Sequence, residues 1–354
     1  MKKQATSGSW LPNDLISEIL LRLPAKSVGR FRCVSKLWLS ITTDPCFIKS
    51  FGTIQRPSLL LCSIKGQNMF VTTHQRSYTS FSQPIPRYHM KALGQHCYFS
   101  NMDSVHGLIC IEDVCSRKPL VWNPTTGQLL VLPKPKMSSR HINAFLGYDS
   151  VGGKHKVMCL PYKKTCYVCR VFTLGSGQES WRTVRTNLKH WCRGFASGQC
   201  INGVIYYLAY NISNKPWYLC TVIMSFDVRS EIFHTIELPS DFHDDVLITY
   251  EGRLACIDED NDKRLWSLED VDNKQKWSFQ DFRKPLHKLF ELQGFTQAGE
   301  FVYVPYRFQK SSFIKFYDPV SNIRRRLKLE GIENEEFGNS VKGFTNHIES
   351  LMPL

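Results

Sequence analysis

The sequence contains no long run of apolar residues. Its longest stretch, residues 204–210, is far shorter than the ~20 residues that a membrane-spanning helix needs. Residues 1–9 contain two lysines but are not followed by the apolar segment of a secretory signal. We therefore expect a disordered start at residues 1–9, no membrane segment, and an intracellular protein in the cytoplasm, the nucleus or both.

Motifs for catalysis and for cofactor binding are also missing. Neither GxxxxGK[ST] nor HExxH occurs, and the GSG at 175–177 has Ser180 where a dinucleotide fingerprint needs its third glycine. The 11 histidines form no spaced cluster of the kind that holds a metal ion. These absences predict a chain that is not an enzyme, with no catalytic residue, no cofactor and no metal ligand.

Two motifs match metal sites in part. Residues 258–269 place oxygen-bearing side chains at the spacing of a calcium loop, but Lys263 stands where that loop needs glycine. Cys166 and Cys169 form a CxxC without a second pair, and in a strand their sulfur atoms would lie on opposite faces. We interpret the first motif as an acidic turn between strands, and the 13 cysteines as reduced thiols.

The chain is strongly basic. It has 45 lysines and arginines against 31 aspartates and glutamates, which gives a net charge of +14. Such a balance favours acidic partners, either nucleic acid or an acidic protein surface. The only tight basic run, residues 324–328, fits a solvated strand face at least as well as a track for phosphates.

Residues 10–51 have the pattern of a small helical domain. Apolar residues recur at three- and four-residue steps from Leu15 to Leu23, and Pro24 ends that helix. Ser35 and the pair Asp44 and Pro45 are suited to begin later helices. A unit of about 40 residues rarely buries enough apolar surface to be stable alone. We therefore expect part of its surface to need a partner; the alternative is that the helices pack on the rest of their own chain.

These residues resemble a known family. The runs LPNDLISEILLRLPAKSV at 11–28 and RFRCVSKLW at 30–38 are similar to the F-box of plant F-box proteins. The resemblance implies a helical hook that binds the Skp-type adaptor of a cullin ubiquitin ligase. The adaptor-binding positions that it implies in this sequence are Leu11, Pro12, Leu15, Ile19, Leu20, Leu23, Pro24, Val28, Cys33, Val34 and Trp38.

From residue 57 to residue 330 the pattern is that of short strands separated by turns. An aromatic residue followed by a small polar one recurs at steps of 40 to 54 residues, as Trp122-Asn123, Phe172-Thr173, Phe226-Asp227, Trp266-Ser267 and Tyr317-Asp318. This period is that of the blades of a β-propeller. Five repeats are visible, and the weaker stretch 57–82 is a candidate for a sixth or for closing the ring; the competing architecture is an irregular pair of β-sandwiches.

A second resemblance covers this region. HGLIC at 106–110, VWNPTTG at 121–127 and LP at 132–133 are similar to the F-box-associated interaction domain. The same motifs also resemble kelch-like blades. In that family the domain is taken to recruit the protein that will be ubiquitinated. Residues 331–354 stay unassigned.

The sequence therefore predicts an α+β multidomain protein with a small N-terminal helical F-box followed by an all-β, propeller-like repeat domain. The function that it favours is the substrate-recognition subunit of an SCF ubiquitin ligase, with a Skp-type adaptor, a cullin bound through it and an unidentified target as partners. Two alternatives stay open: a kelch-like sugar-binding or oxidative propeller enzyme, and a basic nucleic-acid-binding protein.

Overall fold

The computed structural model describes residues 11–65, 68–74, 87–89, 97–137, 139, 141–162, 164–177, 180–193, 197–211, 220–239, 245–258, 264–271, 274–281, 289–305, 313–328 and 341–354. The stretch 1–9, expected to be disordered, lies outside these ranges. Among the helices in the described part, none is long and apolar enough to cross a membrane.

Four helices open the chain: α1 Asn13–Leu21, α2 Ala25–Phe31, α3 Lys36–Thr43 and α4 Pro45–Ile54. The predicted caps of the later helices are confirmed. The side chain of Ser35 accepts a hydrogen bond from the Trp38 amide, and that of Asp44 accepts bonds from two amides at the start of α4. Because Pro45 fills the first position of α4, no amide is left unpaired there.

The β domain consists of antiparallel strands. The first three are β1 Ser58–Lys65, β2 Asn68–His74 and β3 Arg87–His89; the next four are β4 Cys97–Phe99, β5 Ile109–Asp113, β6 Lys118–Asn123 and β7 Gln128–Val131. They are followed by β8 Ile142–Asp149, β9 Lys154–Pro161, β10 Thr165–Thr173, β11 Arg182–Cys192, β12 Gly198–Ile201, β13 Val204–Asn211, β14 Cys220–Asp227 and β15 Phe233–Glu237. The last are β16 Asp245–Tyr250, β17 Arg253–Asp258, β18 Arg264–Val271, β19 Lys274–Asp281, β20 Phe290–Phe295, β21 Phe301–Pro305, β22 Phe313–Asp318, β23 Ile323–Lys328 and β24 Val341–His347.

These strands form five hydrogen-bonded sheets, one of which has eight strands. The eight-stranded sheet is built from two meanders, β8 to β11 and β12 to β15, which β11 and β13 join through three residue pairs. The strands of the described residues therefore form six four-stranded units. Unit 1 is β24 with β1 to β3, and units 2 to 6 follow in chain order from β4 to β23.

The predicted repeat marks one strand of each unit. All five aromatic-polar pairs lie on the third strand of units 2 to 6, namely β6, β10, β14, β18 and β22. The turns after two of them form as expected: the side chain of Asn123 accepts bonds from the amides of Thr125 and Thr126, and that of Asp318 accepts bonds from the amides of Val320 and Ser321. The third strand of unit 1 is β2, which lacks the pair, and this explains why five repeats were visible in the sequence.

The units close into a ring, which confirms the propeller-like prediction over the paired sandwiches. Strand β1 shows how closure is achieved, because it is apolar on both faces. Leu60 and Cys62 pack with the apolar cluster of unit 2, whereas Leu59 and Leu61 pack with that of unit 6. Further clusters join units 2, 3 and 4, units 4 and 5, and units 5 and 6.

Part of the unassigned segment 331–354 completes this ring. Strand β24 pairs with β1 from Ser58 to Ser63. Unit 1 therefore consists of β1 to β3 from the start of the β domain and β24 from its end. The β domain consequently extends past residue 330, the boundary expected from the sequence. Residues 348–354 continue beyond β24 without regular structure.

Candidate functional site

One side of α1 exposes apolar side chains. Leu11 is 47% exposed, Leu15 50% and Ile19 51%. Leu15 and Ile19 are four residues apart in α1, which places their side chains on the same side of the helix, one turn apart, and Leu11 lies just before the helix begins. We call this surface the α1 strip. An apolar strip of this kind is suited to a partner that packs another apolar surface on it.

The opposite side of α1 holds the helix in place. Ile16, Leu20 and Leu21 are buried in the core of the helical domain together with Phe47 and Phe51 of α4. The carbonyl oxygen of Pro12 accepts hydrogen bonds of 3.1 Å from the amides of Leu15 and Ile16, which begins the helix. The α1 strip is therefore presented by a packed helix with a defined first turn.

The 11 positions implied by the F-box resemblance fall into three groups. Leu23 and Trp38 are half-buried, Leu20 and Val28 are buried in the helical core, and the exposed ones are Leu11, Pro12, Leu15, Ile19, Pro24, Cys33 and Val34. Leu20 and Val28 are thus not available for direct contact with a partner. Leu39, which sequence reasoning missed, is a further exposed apolar residue of this domain, at 44%.

The helical domain rests on residues 348–354, which we call the bridging segment. Leu351 is 1% exposed and belongs to the apolar core of the four helices. The amide of Ala25, at the start of α2, donates a 3.0 Å hydrogen bond to the Glu349 carboxylate, and Arg32 donates one of 3.4 Å to the Leu351 carbonyl oxygen. The buried side of the helices packs on the bridging segment. The α1 strip lies on the other, exposed side, where a partner can contact it.

The same segment is bound to unit 2 of the ring. The side-chain amide of Asn123 donates to the carbonyl oxygens of Ser350 and Met352 at 3.0 and 2.9 Å, and the Ser350 amide donates to the Thr125 hydroxyl at 3.0 Å. Sequence reasoning did not predict that residues 348–354 connect the two domains, because Leu351 and Glu349 belong to no helical or strand periodicity. The bridging segment therefore connects the helical domain to the β domain.

A cavity of about 570 Å³ opens in the β domain. Five of the six units contribute to its wall, so it lies around the axis of the ring. The lining combines polar and apolar surface in equal parts, and its polar residues include Asp103, Gln199, Thr249, Glu251, Gln297 and Asn346. Such a lining can accept and donate hydrogen bonds, and its carboxylates favour a cationic group.

Asp103 of this wall interacts with a lysine of β24, Lys342. Burial raises the pKa of Asp103 to about 6, while hydrogen bonds from the Ser104 amide and the Thr345 hydroxyl, and the nearby Lys342 ammonium, act to lower it. Burial lowers the pKa of Lys342, and the carboxylates of Glu291 and Asp103 oppose that shift. The Lys342 ammonium therefore offsets part of the negative charge that Asp103 brings to the cavity.

The described residues contain no group of three or more His, Cys, Asp or Glu side chains that could hold a metal ion. Of the calcium-loop motif, the flanks are the strands β17 and β18, as expected, and residues 259–263, including Lys263, lie outside the described ranges. Two tryptophans link neighbouring units: the indole nitrogen of Trp181 donates to the carbonyl oxygen of Pro133, and that of Trp277 to the carbonyl oxygen of Glu237.

Comparison with known proteins identifies both domains. The F-box domain family matches residues 9–50, and the family described as the F-box associated beta propeller domain matches residues 58–348. The chain belongs to the F-box proteins with an F-box-associated β-propeller. The second match includes β24, in agreement with the ring closure seen in the structure.

Curated relatives of this F-box protein match along its whole length. The Arabidopsis thaliana protein At3g10240, named as an F-box protein, is 49% identical and the alignment covers 99% of this chain and 94% of the relative. A second, At1g47790, is 46% identical over 99% of this chain and 96% of its own length. No catalytic family is among the matching families, and F-box proteins of this kind are typically substrate adaptors.

A solved structure shares the fold. A chain from the crystal structure of a nidogen/laminin complex superposes with a TM-score of 0.50 and covers 80% of this F-box protein and 98% of its own chain. Its sequence identity is 9%, so the likeness concerns the fold alone.

Proposed function

We propose that this protein is the substrate-recognition subunit of an SCF ubiquitin ligase. Its F-box binds a Skp-type adaptor and, through it, a cullin, while its β-propeller recruits a target protein. The observation that carries this proposal is the α1 strip, because its three apolar side chains, two in a packed helix and one just before it, are about half exposed and are suited to an apolar partner surface. Covering each of them contributes about 1 kcal/mol to binding, at ~25 cal/mol per Å² of apolar surface.

The exposed and half-buried positions of the F-box are the ones that we propose for direct contact with the adaptor. Leu20 and Val28 act differently, because they lie in the helical core and hold the exposed residues in place. The exposed Leu39 adds a position that the family resemblance did not supply.

The proposed mechanism is positional. The chain itself supplies no acid, base or nucleophile; other subunits carry the ubiquitin. By holding a target lysine near the charged ubiquitin carrier, the receptor raises the effective concentration of the two reactants. This role requires a protein that works inside the cell, in the cytoplasm, the nucleus or both.

Replacement of the α1 strip tests the adaptor assignment. Leu15→Ser with Ile19→Ser removes two exposed apolar contacts and should weaken adaptor binding by at least about 2 kcal/mol, the size expected for central interface residues. The measurement is co-purification with a Skp-type adaptor, followed by titration. Leu11→Ala with Pro12→Ala should give a loss in the same direction.

Ile54→Ser is the matched control, because Ile54 is an equally exposed apolar residue at the end of α4, at 53%. It should bind the adaptor like the unaltered protein. Full adaptor binding by the Leu15/Ile19 variant, with its far-ultraviolet circular dichroism unchanged, would refute the assignment.

A further inference from the structure

Among the described residues, the last two strands of unit 6 carry cations that form no salt bridge with a carboxylate. In the register of β22 and β23, Lys315 lies opposite Arg326 and Tyr317 lies opposite Arg324, so the three cations share one face. Across the described residues, none of them forms a salt bridge. Arg325, on the other face, does pair with Glu300, through contacts of 2.6 and 2.7 Å. We call Lys315, Arg324 and Arg326 the β23 patch.

The cations of the β23 patch repel one another. Like charges directly opposite each other on a sheet are destabilising, and the pKa of Lys315 is lowered by burial and by Arg326 and Arg324. Aromatic rings lie beneath the cations: the Lys315 ammonium is 3.8 Å from the centre of the Phe290 ring, and the Arg326 guanidinium is 4.9 Å from that of Phe313. Such contacts orient a cation without neutralising it. The patch therefore stays open to an anionic partner.

Strand β23 is also an edge strand in the described part of the chain. It ends its sheet, and β22 is the strand that pairs with it in the described part of the chain. An edge strand presents unpaired N–H and C=O groups, which an extended peptide can pair with as an added strand. Nucleic acid would use the cations but lacks the regular row of N–H and C=O groups that pairs with a strand edge, so the edge favours a peptide.

The spacing of the patch defines the peptide. Arg324 and Arg326 are two residues apart on a strand, which separates their Cα atoms by about 6.8 Å. Alternate side chains of an extended peptide have the same spacing. A segment with carboxylates at every second position would therefore match the two guanidiniums and the edge at once.

We propose that the β23 patch binds an extended acidic segment of the target protein, with carboxylates at alternate positions, by strand addition to β23. This deepens the proposed receptor function, on which it rests, by naming the chemistry of the target segment. The charges of Arg324 and Arg326 give the site its preference for acidic segments, and the edge of β23 gives it a preference for an extended one.

The test uses the full chain and a fluorescein-labelled peptide of alternating glutamate and threonine, with fluorescence anisotropy as the readout. A second peptide has the same composition in two blocks. The alternating peptide should bind about tenfold more tightly than the block peptide, and addition of salt should weaken its binding. Arg324→Gln with Arg326→Gln should weaken binding by at least about tenfold.

Arg185→Gln with Lys189→Gln is the matched control. It removes the same charge from two exposed positions of β11, on another unit, and should leave the affinity unchanged. Equal loss in both double variants would overturn the proposal, because it would mean that overall charge alone attracts the peptide. Equal affinity for the two peptides, or tighter binding of a single-stranded DNA than of the alternating peptide, would also overturn it.

Two further outcomes identify another role for the patch. Residues 329–340 hold four glutamates, Glu330, Glu333, Glu335 and Glu336. Peptide binding that is seen only after these are replaced by glutamine would show that the chain occupies its own patch, which overturns a target-binding site. If the peptide does not bind and the Arg324/Arg326 variant self-associates, the cations instead prevent β23 from pairing with another copy of the chain, which also overturns the proposal. No adaptor takes part in this assay, so its failure leaves the adaptor assignment standing.

Discussion

At the scale of single residues, buried ionisable groups decide how the β-propeller responds to pH. The Glu112 carboxylate of unit 2 accepts a 2.9 Å hydrogen bond from the Ala144 amide of unit 3. Burial raises the pKa of Glu112 to about 7, against the effect of that hydrogen bond. Burial lowers the pKa of His155 to about 3 and that of His347 to about 4. Burial therefore favours the neutral form of each group in the fold.

The signs of these shifts are opposite. The folded chain binds a proton at Glu112 that the unfolded chain releases near pH 4.5, so this group makes stability fall as the pH rises from about 4.5 to about 7. The two histidines act the other way: the unfolded chain takes up their protons below about pH 6.5, so their contribution is lost as the pH falls from there towards 3 to 4.

Glu112→Gln isolates one of these effects. Glutamine keeps the acceptor for the Ala144 amide but has no charge, so the variant should gain about 2 to 3 kcal/mol of unfolding free energy relative to the unaltered protein between pH 4 and pH 8. Urea unfolding at several pH values measures this difference. Glu237→Gln, at an exposed position, should show no such change with pH. A constant difference between the Glu112 variant and the unaltered protein would contradict the buried, neutral carboxyl.

At the scale of elements, the bridging segment determines how the F-box is attached. It contributes Leu351 to the helical core and accepts the Asn123 hydrogen bonds from unit 2, so one short segment contacts both domains. The α1 strip lies outside these contacts. Attachment to the propeller and availability to the adaptor are therefore separate properties of the same four helices.

Leu351→Ala should loosen this attachment. Removal of a fully buried leucine side chain costs about 2 to 4 kcal/mol in a packed core. Amide hydrogen exchange in α1 to α4 should become faster, while exchange in the strands of units 3 to 5 should stay as it is. Leu289→Ala, at a position 70% exposed, serves as the control. Equal protection of the helices in both variants would count against a structural role of the bridging segment.

At the scale of the whole molecule, closure of the ring depends on one strand from late in the chain. Strand β24 covers the edge of β1 and carries Phe344 into the cluster shared by units 1 and 2, and Val341 into the one shared by units 6 and 1. Without it, β1 would present an unpaired edge and two apolar clusters would be opened to water.

Two truncations separate closure from attachment. A chain that ends at residue 340 should fail to form a cooperative, soluble propeller, since it lacks β24. A chain that ends at residue 347 keeps β24 and loses only the bridging segment, so it should remain folded but be less stable. Size-exclusion chromatography and thermal unfolding followed by circular dichroism measure both. A folded, monomeric product from the shorter chain would show that the ring closes without β24.

The local part of this structure could be predicted from the sequence. The caps at Ser35 and Asp44, the end of α1 before Pro24, and the turns at Asn123 and Asp318 all depend on residues within a few positions of each other. The aromatic-polar repeat is local in the same sense, because each pair marks the third strand of a single unit. Such features are determined by neighbouring side chains and backbone, which a sequence displays directly.

The other features of the fold depend on contacts between residues that are distant in the sequence. Helical periodicity treats Leu15 and Leu20 alike, and packing against α4 and Leu351 leaves the first exposed and the second buried. The place of β24 beside β1, and of Glu349 beside Ala25, follows from bringing the two ends of the described chain together. No short-range pattern encodes these contacts, because the free energy that selects them is the burial of apolar surface in the closed ring and the helical core.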